Sequence, residues 1–190
     1  MKLPRAVLAM WLSFDKKEWT LIGKDTDDVS MELNPEVDTK QNVLGETIVE
    51  HSGYKPELNM DNYYARTEDS IYEPIKDIAM NRKSDDESIA AYLMEAILTD
   101  EVKKSDTVTL TGEAWIENVS VIPQSYGGDT TGLSIPFNIH PNGGRKEGTV
   151  SVTERVPTFT EKTGAGENTE AQTANQPVRQ TAGAGSSTTK

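Results

Sequence analysis

The chain has 190 residues, a formal net charge of −12 and no cysteine. This length allows one ordinary domain and a tail. The lack of cysteine excludes disulfides, cysteine-liganded zinc and thiol catalysis. An acidic chain without a long basic run is also a poor match for nucleic-acid binding, which depends on Lys and Arg at phosphates.

The N-terminal region predicts two short strands, at residues 5–14 and 20–23, joined by a turn at Asp15-Lys-Lys-Glu. The apolar run over residues 6–12 is short and lacks a small-residue cleavage site, so we expect no secretory signal. No segment approaches the ~20 apolar residues that a membrane span requires.

The next segment combines two strands with a polar connection. Residues 29–33 alternate between apolar and polar side chains, as in a half-buried strand. Asn34-Pro35 ends this strand, since proline disfavours central pairing. Residues 34–45 are polar and predict a long loop, and residues 46–52 predict the following strand.

One helix is predicted over residues 68–82. Its apolar stripe consists of Ile71, Ile75 and Ile78, at spacings of four and three. Thr67 or Asp69 is expected to cap its first turn. Pro74 is tolerated only near a helix N-terminus, so the regular part is expected to begin near Tyr72.

The second half of the chain predicts further strands and fixes the fold class. These strands lie at residues 89–98, 107–117, 133–139 and 149–156, with a charged turn at 100–106. Pro136 predicts an edge position for the third of them. Seven or eight strands with one flanking helix indicate a mainly β protein, an antiparallel β-sandwich or barrel.

The domain is expected to cover residues 1–157. Residues 158–190 are predicted to form a low-complexity, flexible extension, because Gly, Ala, Thr and Ser dominate and little apolar surface can be buried. Residues 161–190 hold three acidic and three basic side chains, so the whole acidic excess lies on residues 1–160.

Candidate catalytic and ligand-binding groups are sparse. His51 and His140 each lie in a strand pattern without a nucleophile elbow. Acidic clusters at 25–28 and 85–87 lack calcium-loop spacing and favour charged turns. Gly127-Gly128 precedes a strand rather than a helix, so it predicts a turn and not a phosphate site. We therefore expect no enzyme activity, no cofactor and no bound metal.

Several motifs, in their order, resemble the tail tube (major tail) proteins of long-tailed bacteriophages with Gram-positive hosts. They are residues 34–47 (NPEVDTKQNVLGET), 51–56 (HSGYKP), 63–65 (YYA) and 126–132 (YGGDTTG), followed by 135–137 (IPF). The resemblance covers residues from about 5 to about 155. It implies a β-sandwich with a flanking helix, which forms hexameric rings that stack into a virion tail tube for DNA ejection.

The resemblance also implies roles for parts of the chain. Each subunit would give four strands to a lumen-lining barrel, expected to include residues 29–33 and 46–52 and two of the strands near 107–117 and 133–140. A ring-stacking loop is implied at residues 34–45, with Asn34, Pro35, Glu36, Val37, Asp38, Lys40, Asn42 and Gly45. Because an acidic wall would keep DNA off it, lumen-facing positions are expected among Glu32, Glu46, Glu50, Glu113 and Glu117.

The implied partners follow from the same family. They are further copies of the chain, tail terminator and distal tail proteins at the tube ends, the tape measure protein, and then DNA bound without sequence specificity. No membrane is expected, and assembly would occur in the host cytoplasm.

Two other readings remain open at this point. The chain could be the inner tube of a contractile tail or tail-like particle. It could also be a monomeric β-barrel that binds a small ligand or carbohydrate, with Trp19, Trp115 and Tyr126 lining the pocket.

Overall fold

The computed structural model describes residues 7–24, 29–61, 63–104, 107–128 and 130–162. Its elements are β1 (Leu8–Ser13), β2 (Thr20–Leu21), β3 (Met31–Glu32), β4 (Pro35–Gln41), β5 (Thr47–Tyr54), β6 (Glu57–Met60), α1 (Tyr72–Asn81), α2 (Asp86–Ile89), β7 (Ala90–Lys104), β8 (Thr107–Pro123), β9 (Gly127–Gly128), β10 (Leu133–Ser134), β11 (Phe137–Thr153) and β12 (Val156–Glu161). The pairings are antiparallel, and the predicted mainly β fold class is confirmed.

Eight of the described strands form one sheet. Its order is β2-β1-β7-β8-β11-β6-β3, and β12 also pairs with β11. Two hairpins stand apart from this sheet, β4 with β5 and β9 with β10. The predicted N-terminal hairpin is confirmed by β1 and β2. Its turn is held by the carboxylate of Asp15, which accepts from the N–H groups of Lys17 and Glu18.

Three strands are longer than the usual 3–10 residues: β7, β8 and β11 contain 15, 17 and 17 residues. β11 follows β8 but changes its other neighbour, from β6 at Phe137–Ile139 to β12 at Gly148–Thr153. Pro141, Gly143 and Gly144 lie between these segments, where β8 is the one described neighbour of β11. A proline or a bulge at these positions therefore interrupts no hydrogen bonds to a second strand. The positive φ of both glycines, 86° and 71°, favours residues without a Cβ.

Apolar clusters cover both faces of the sheet. In β1, Leu12 packs in a cluster with Ile71 and Ile75 beside α1, whereas the adjacent Trp11 belongs to a second cluster. Neighbouring residues of a strand point to opposite faces. Trp11 and Leu12 are both buried, so this part of the sheet is a middle layer. Leu93, Met94 and Ala96 of β7 are likewise buried, on both faces of the strand.

The helix prediction is confirmed in its apolar stripe and in the start of its regular part, and corrected at its cap. Ile71, Ile75 and Ile78 are buried, α1 begins at Tyr72, and no side chain caps it. The predicted cap at Thr67 or Asp69 is wrong, because both residues precede the helix by a turn. The carboxylate of Asp69 instead forms an ion pair with Lys24 at 3.3 Å.

The predicted loop at residues 34–45 is wrong. Pro35–Gln41 forms β4, which pairs with β5 to make a hairpin whose turn is residues 42–46. All residues of β4 are exposed. A strand that does not pack on the core needs no apolar alternation, and for this reason the pattern read as a loop.

Three other boundaries differ from prediction. Strand β7 continues to Lys104, through the turn expected at 100–106. The strand expected at 133–139 is divided, because Pro136 lies outside the ladder between β10 and β11. The last predicted strand ends at Thr153, and β12 extends the ordered sheet to Glu161, past the boundary expected at 157.

Two expectations concern the ends of the chain and the membrane. The flexible extension expected over residues 158–190 includes β12, and its remainder from 163 onward lies outside the described residues. Within the described ranges, none of the helices has the length and hydropathy needed to cross a bilayer.

The turn between β11 and β12 gives a stability prediction. Glu154 and Arg155 have φ of 53° and 69°, as a two-residue type I′ turn requires. Side chains with a Cβ are disfavoured there, so replacing the pair by Asn-Gly is expected to raise the free energy of unfolding by about 1 kcal/mol. Urea unfolding followed by fluorescence measures the change.

A matched control introduces Asn-Gly at Lys17 and Glu18, an exposed turn in which neither residue has positive φ. That variant gains no preferred turn geometry and is expected to lose stability through the glycine. A lower unfolding midpoint for the variant at 154–155 would contradict the turn assignment.

Candidate assembly surface

The upper sheet is defined as residues 97–104 of β7, 107–116 of β8, 146–153 of β11, and β12. It has two lateral edges. On one side, β1 covers β7 only from Tyr92 to Ile97, and no described strand continues along β7 above that point. On the other side, β12 has β11 as its one described neighbour. An open edge presents backbone donors and acceptors to a further strand.

The backbone groups at the β12 edge can be assigned residue by residue. The N–H of Lys162 donates to the carbonyl oxygen of Glu147 at 3.0 Å, on the β11 side. Backbone groups alternate in direction along a strand. Pro157, Phe159 and Glu161 therefore direct theirs away from β11. Pro157 lacks an N–H, and proline within a sheet is usually confined to edge strands.

One face of the upper sheet is exposed and rich in hydroxyl groups. Directly opposed residues of antiparallel strands point to the same face. The rows on this face are Ile97–Glu113–Thr149–Thr160, Asp100–Thr111–Ser151–Thr158 and Val102–Thr109–Thr153–Val156. Thr109 and Thr153 are joined by a hydroxyl–hydroxyl bond of 3.1 Å. The charged residues of these rows, Asp100 and Glu113, are both acidic.

The opposite face of the upper sheet is covered. Val150 and Val152 are buried there with Trp11 and Met94, and Phe159 packs against them. Gly112 lies in the same row, where a Cβ would stand 2.0 Å from the carbonyl oxygen of Ile97. The strands approach closely beside the irregularity that follows Leu98, so only glycine fits.

A buried charge cluster marks the lower border of the exposed face. One guanidinium nitrogen of Arg145 lies 2.6 Å from Glu95 and 2.7 Å from Glu117, and the group stands 5.6 Å from the ring centroid of Trp115. Both carboxylates are buried, and Arg145 is about half exposed. Burial raises the pKa of Glu117 above its ordinary value; Arg145 opposes that rise without cancelling it, and Glu95 adds to it.

The β4–β5 hairpin projects from the rest of the chain. Its exposed large apolar side chains are Val37, Val43, Leu44, Ile48, Val49 and Tyr54. Glu50 forms an ion pair with Lys40 across the hairpin at 2.5 Å. An exposed apolar surface of this extent marks an interaction site in a soluble protein.

The five acidic residues predicted to face a lumen lie on different parts of the fold. Glu113 lies on the exposed face of the upper sheet, and Glu117 is buried on the same face beside Arg145. Glu46 and Glu50 belong to the β4–β5 hairpin, and Glu32 lies on β3 at the far edge of the main sheet. The structure therefore brings two of the five together.

The eight residues implied for ring stacking do lie together. Pro35, Glu36, Val37, Asp38 and Lys40 are in β4, Asn42 and Gly45 are in its turn, and Asn34 precedes it. Strand β5, in the predicted segment 46–52, pairs with β4 alone among the described strands, and its place in a lumen-lining sheet stays a prediction.

The candidate catalytic residues are not brought together. The ring of His51 packs edge-on against Tyr54 at 4.6 Å on the hairpin, whereas His140 lies opposite Ser120 in the main sheet. In the acidic cluster at 85–87, Asp85 caps α2 by accepting from the N–H of Ser88 at 2.9 Å. The cluster at 25–28 lies outside the described residues. No group of three or more metal-ligating side chains occurs in the described part of the chain.

The aromatic pocket of the ligand-binding reading does not form. Trp19 packs with the cluster of Trp11, and Trp115 lies on the opposite face beside Arg145. Tyr126 lines separate grooves at the lower end of β8. The turn predicted at Gly127-Gly128 is wrong at these two residues, which form strand β9 and pair with β10.

Sequence reasoning missed two features of this surface. The hydroxyl rows carry a period-two signal in Thr149, Ser151 and Thr153 and again in Thr158 and Thr160, and that signal could have predicted an exposed polar sheet face. No sequence pattern indicated the ion pairs of Arg145, because Glu95 and Glu117 are distant in the sequence and only the register of the sheet brings them close to it.

Comparison with known proteins does not show a family for this chain. No family model and no curated protein sequence matches the chain. A similar solved chain comes from the sheath–tube complex of an extracellular contractile injection system in its extended state. The match covers 82% of this chain and 93% of that one, with 13% identity and a TM-score of 0.39. Likeness at this level does not establish a common fold.

The charge cluster yields a prediction for stability. Arg145→Ala leaves two buried carboxylates without a cation and is expected to lower the free energy of unfolding by about 2 kcal/mol at neutral pH. Glu117→Gln keeps the Arg145–Glu95 pair and removes a carboxylate whose ionisation is disfavoured by burial, so it is expected to change the free energy of unfolding by under about 1 kcal/mol. Chemical denaturation of both variants beside the wild type measures the difference.

The same cluster predicts a pH dependence with a definite sign. A raised pKa means that folded Glu117 holds its proton at a higher pH than the unfolded chain does. The contribution of Glu117 to the free energy of unfolding is therefore fully present below the ordinary carboxyl pKa. It is lost as the pH rises through the pKa that Glu117 has in the folded state. Glu117→Gln should flatten the stability profile over that interval, and an unchanged profile would contradict the burial argument.

Proposed function

We propose that this chain is a structural subunit of a bacteriophage tail tube and not an enzyme. In this proposal, copies join edge to edge into hexameric rings, and the rings stack into the tube of the virion tail. The hexamer and the virion come from the sequence resemblance. The edge geometry described above supports the joining of copies.

The observation that carries the proposal is the pair of open edges on the upper sheet. Its four strands alternate in direction, so β7 and β12 at its two sides run antiparallel. When β12 of one copy meets β7 of the next, the new pair is again antiparallel, and the alternation continues around a ring. Contacts that use two different edges of each copy close into a ring when the rotation allows it.

The dimensions agree with such a ring. Six copies that add four strands each give roughly 24 strands. At ~4.8 Å spacing and ~40° tilt, these close into a backbone cylinder about 45–50 Å across. Duplex DNA can pass through a cylinder of this width after the side chains are subtracted.

The exposed face of the upper sheet suits the lining of the channel. Its opposite face is already covered by the cluster of Trp11, so the hydroxyl rows are the ones left to face the lumen. In these rows the charged residues, Asp100 and Glu113, are acidic. The cations beside them on this face are ion-paired, Arg145 with Glu95 and Glu117 and Lys162 with Glu147, so DNA would be held weakly through counterion release. Glu113 is the predicted lumen residue that this arrangement supports best.

The proposal extends to partners and location as the resemblance implies them. The β4–β5 hairpin, with the eight residues from Asn34 to Gly45, would contact the neighbouring ring. Tail terminator and distal tail proteins would close the tube ends, the tape measure protein and then DNA would occupy the lumen, and assembly would take place in the host cytoplasm.

A single backbone donor tests the joining of edges. Glu161→Pro removes an N–H that points away from β11, at a position equivalent in direction to Pro157. The variant is expected to remain a folded monomer and to lose rings and tubes, because proline blocks a ladder bond to the next copy. Circular dichroism checks the fold, and negative-stain microscopy with analytical ultracentrifugation checks assembly.

Glu161→Ala is the matched control, since it removes the same ion pair with Lys146 but keeps the N–H. Such an exposed pair contributes little to stability, so the alanine variant should assemble like the wild type. Normal tubes from Glu161→Pro would exclude β12 as a joining edge.

A further inference from the structure

An apolar groove lies at the lower end of the molecule, away from the upper sheet. It has a volume of about 630 Å³ and runs between the end of α1, the start of β7 and the end of β8. Its apolar lining comprises Ile78, Ala79, Ile89, Ile122, Pro123 and Tyr126. Ile122 and Tyr126 are 39% and 54% exposed, although both could be buried by a partner.

The turn of the β4–β5 hairpin is a convex counterpart on the same chain. Val43 and Leu44 have exposed fractions of 102% and 79%, the largest among the exposed apolar side chains of the described residues. Burial of these two side chains against a partner would remove their apolar surface from water, which favours association.

Hydrogen bonds within the turn order the backbone that carries these two side chains. The amide oxygen of Asn42 accepts from the N–H groups of Leu44 and Glu46, both at 2.9 Å, and the backbone N–H of Gly45 donates to Asn42 at 3.0 Å. Gly45 has a φ of 80°. A pre-ordered turn loses little conformational entropy on binding, so it is suited to insertion into a groove.

Charge favours the same pairing. Glu46 stands at the hairpin turn, and Arg82 and Lys83 line the groove. Lys83 is ion-paired with Asp77 at 2.6 Å, whereas Arg82 has no ion pair within the described part of the chain. A hairpin that enters the groove brings an acidic residue to a basic rim, which favours the correct partner and register.

The geometry points to the groove as the receptor for the hairpin turn of a second copy of this chain. Val43 and Leu44 would fill the apolar lining, and Glu46 would meet Arg82. The hairpin is exposed in its own chain, so the occupant comes from another copy. The inference rests on the proposed function: it assigns the receptor surface of the ring-to-ring contact, and a contact between two different surfaces extends an assembly along an axis.

Disulfide trapping tests the contact directly, because the chain has no native cysteine. Leu44→Cys protein is mixed with Tyr126→Cys protein that carries a size tag, at assembly concentration, and the mixture is oxidised. A cross-linked heterodimer on a non-reducing gel is expected. Val156→Cys replaces Tyr126→Cys in the control: Val156 is 63% exposed but does not line the groove, so no heterodimer is expected.

A charge reversal tests the same contact without cysteine. Glu46→Arg and Arg82→Glu are each expected to abolish tubes and leave rings, and the double variant is expected to restore tubes. Negative-stain microscopy gives the readout. Single variants that form full-length tubes, or a cross-link no stronger than the Val156 control, would overturn the assignment.

The two proposals fail in different ways. Rings and normal tubes without the Leu44–Tyr126 cross-link would refute the groove assignment and leave the tail tube function intact. A selective cross-link in a wild-type protein that forms neither rings nor tubes would support the groove contact and contradict the proposed function.

Discussion

The backbone hydrogen bonds of a sheet edge are the constraint on which this structure depends. Each strand carries donors and acceptors on both sides, and an edge strand satisfies one side with its own sheet. Among the described strands, the two sides without a partner strand belong to β7 above Ile97 and to β12, at opposite ends of one four-stranded region. Water can satisfy these groups in the monomer, and a second copy can satisfy them in an assembly.

The three long strands connect this edge geometry to a stable core. Their lower parts are packed on one face, against the cluster that includes Ile71 and Ile75 beside α1, whereas Asn118 and Ile122 are exposed on the other face there. Their upper parts have the Trp11 cluster on one face and leave the hydroxyl rows exposed on the other. One continuous sheet therefore has a lower half anchored by burial and an upper half with a polar face and two sides that no described strand covers.

The change of neighbour along β11 makes this division possible. Pro141, Gly143 and Gly144 occupy the segment where β6 has ended and β12 has not begun. The register shift beyond Gly143 also carries Arg145 to Glu95 and Glu117. The register shift in the strand and the ion pairs of Arg145 thus have a common local cause.

The sequence predicted those elements whose pattern comes from burial. The stripe of Ile71, Ile75 and Ile78 predicted α1, and the apolar run near Leu93 predicted a strand there. The β4–β5 hairpin could not be recognised as strands, since all of β4 is exposed and polar. The ends of β7 and β12 were missed for the same reason, because edge residues have no core to impose an apolar alternation.

The candidate surface was predictable only in part. The resemblance of residues 34–47 to tail tube proteins placed the proposed stacking residues on one element, and the structure keeps them together there. The five glutamates chosen by charge alone were dispersed, because charge does not reveal which face of a strand is covered. The groove below Ile122 and the cation at Arg145 depend on long-range register, which a single sequence does not encode in any local pattern.

A cryo-electron microscopy map of the purified protein at high concentration tests the central claim most directly. The account predicts rings in which β12 of one copy lies antiparallel beside β7 of the next, with the rows of Thr111 and Thr149 facing the channel. A monodisperse 20.9 kDa monomer, or a ring whose hydroxyl rows face outward, would contradict it.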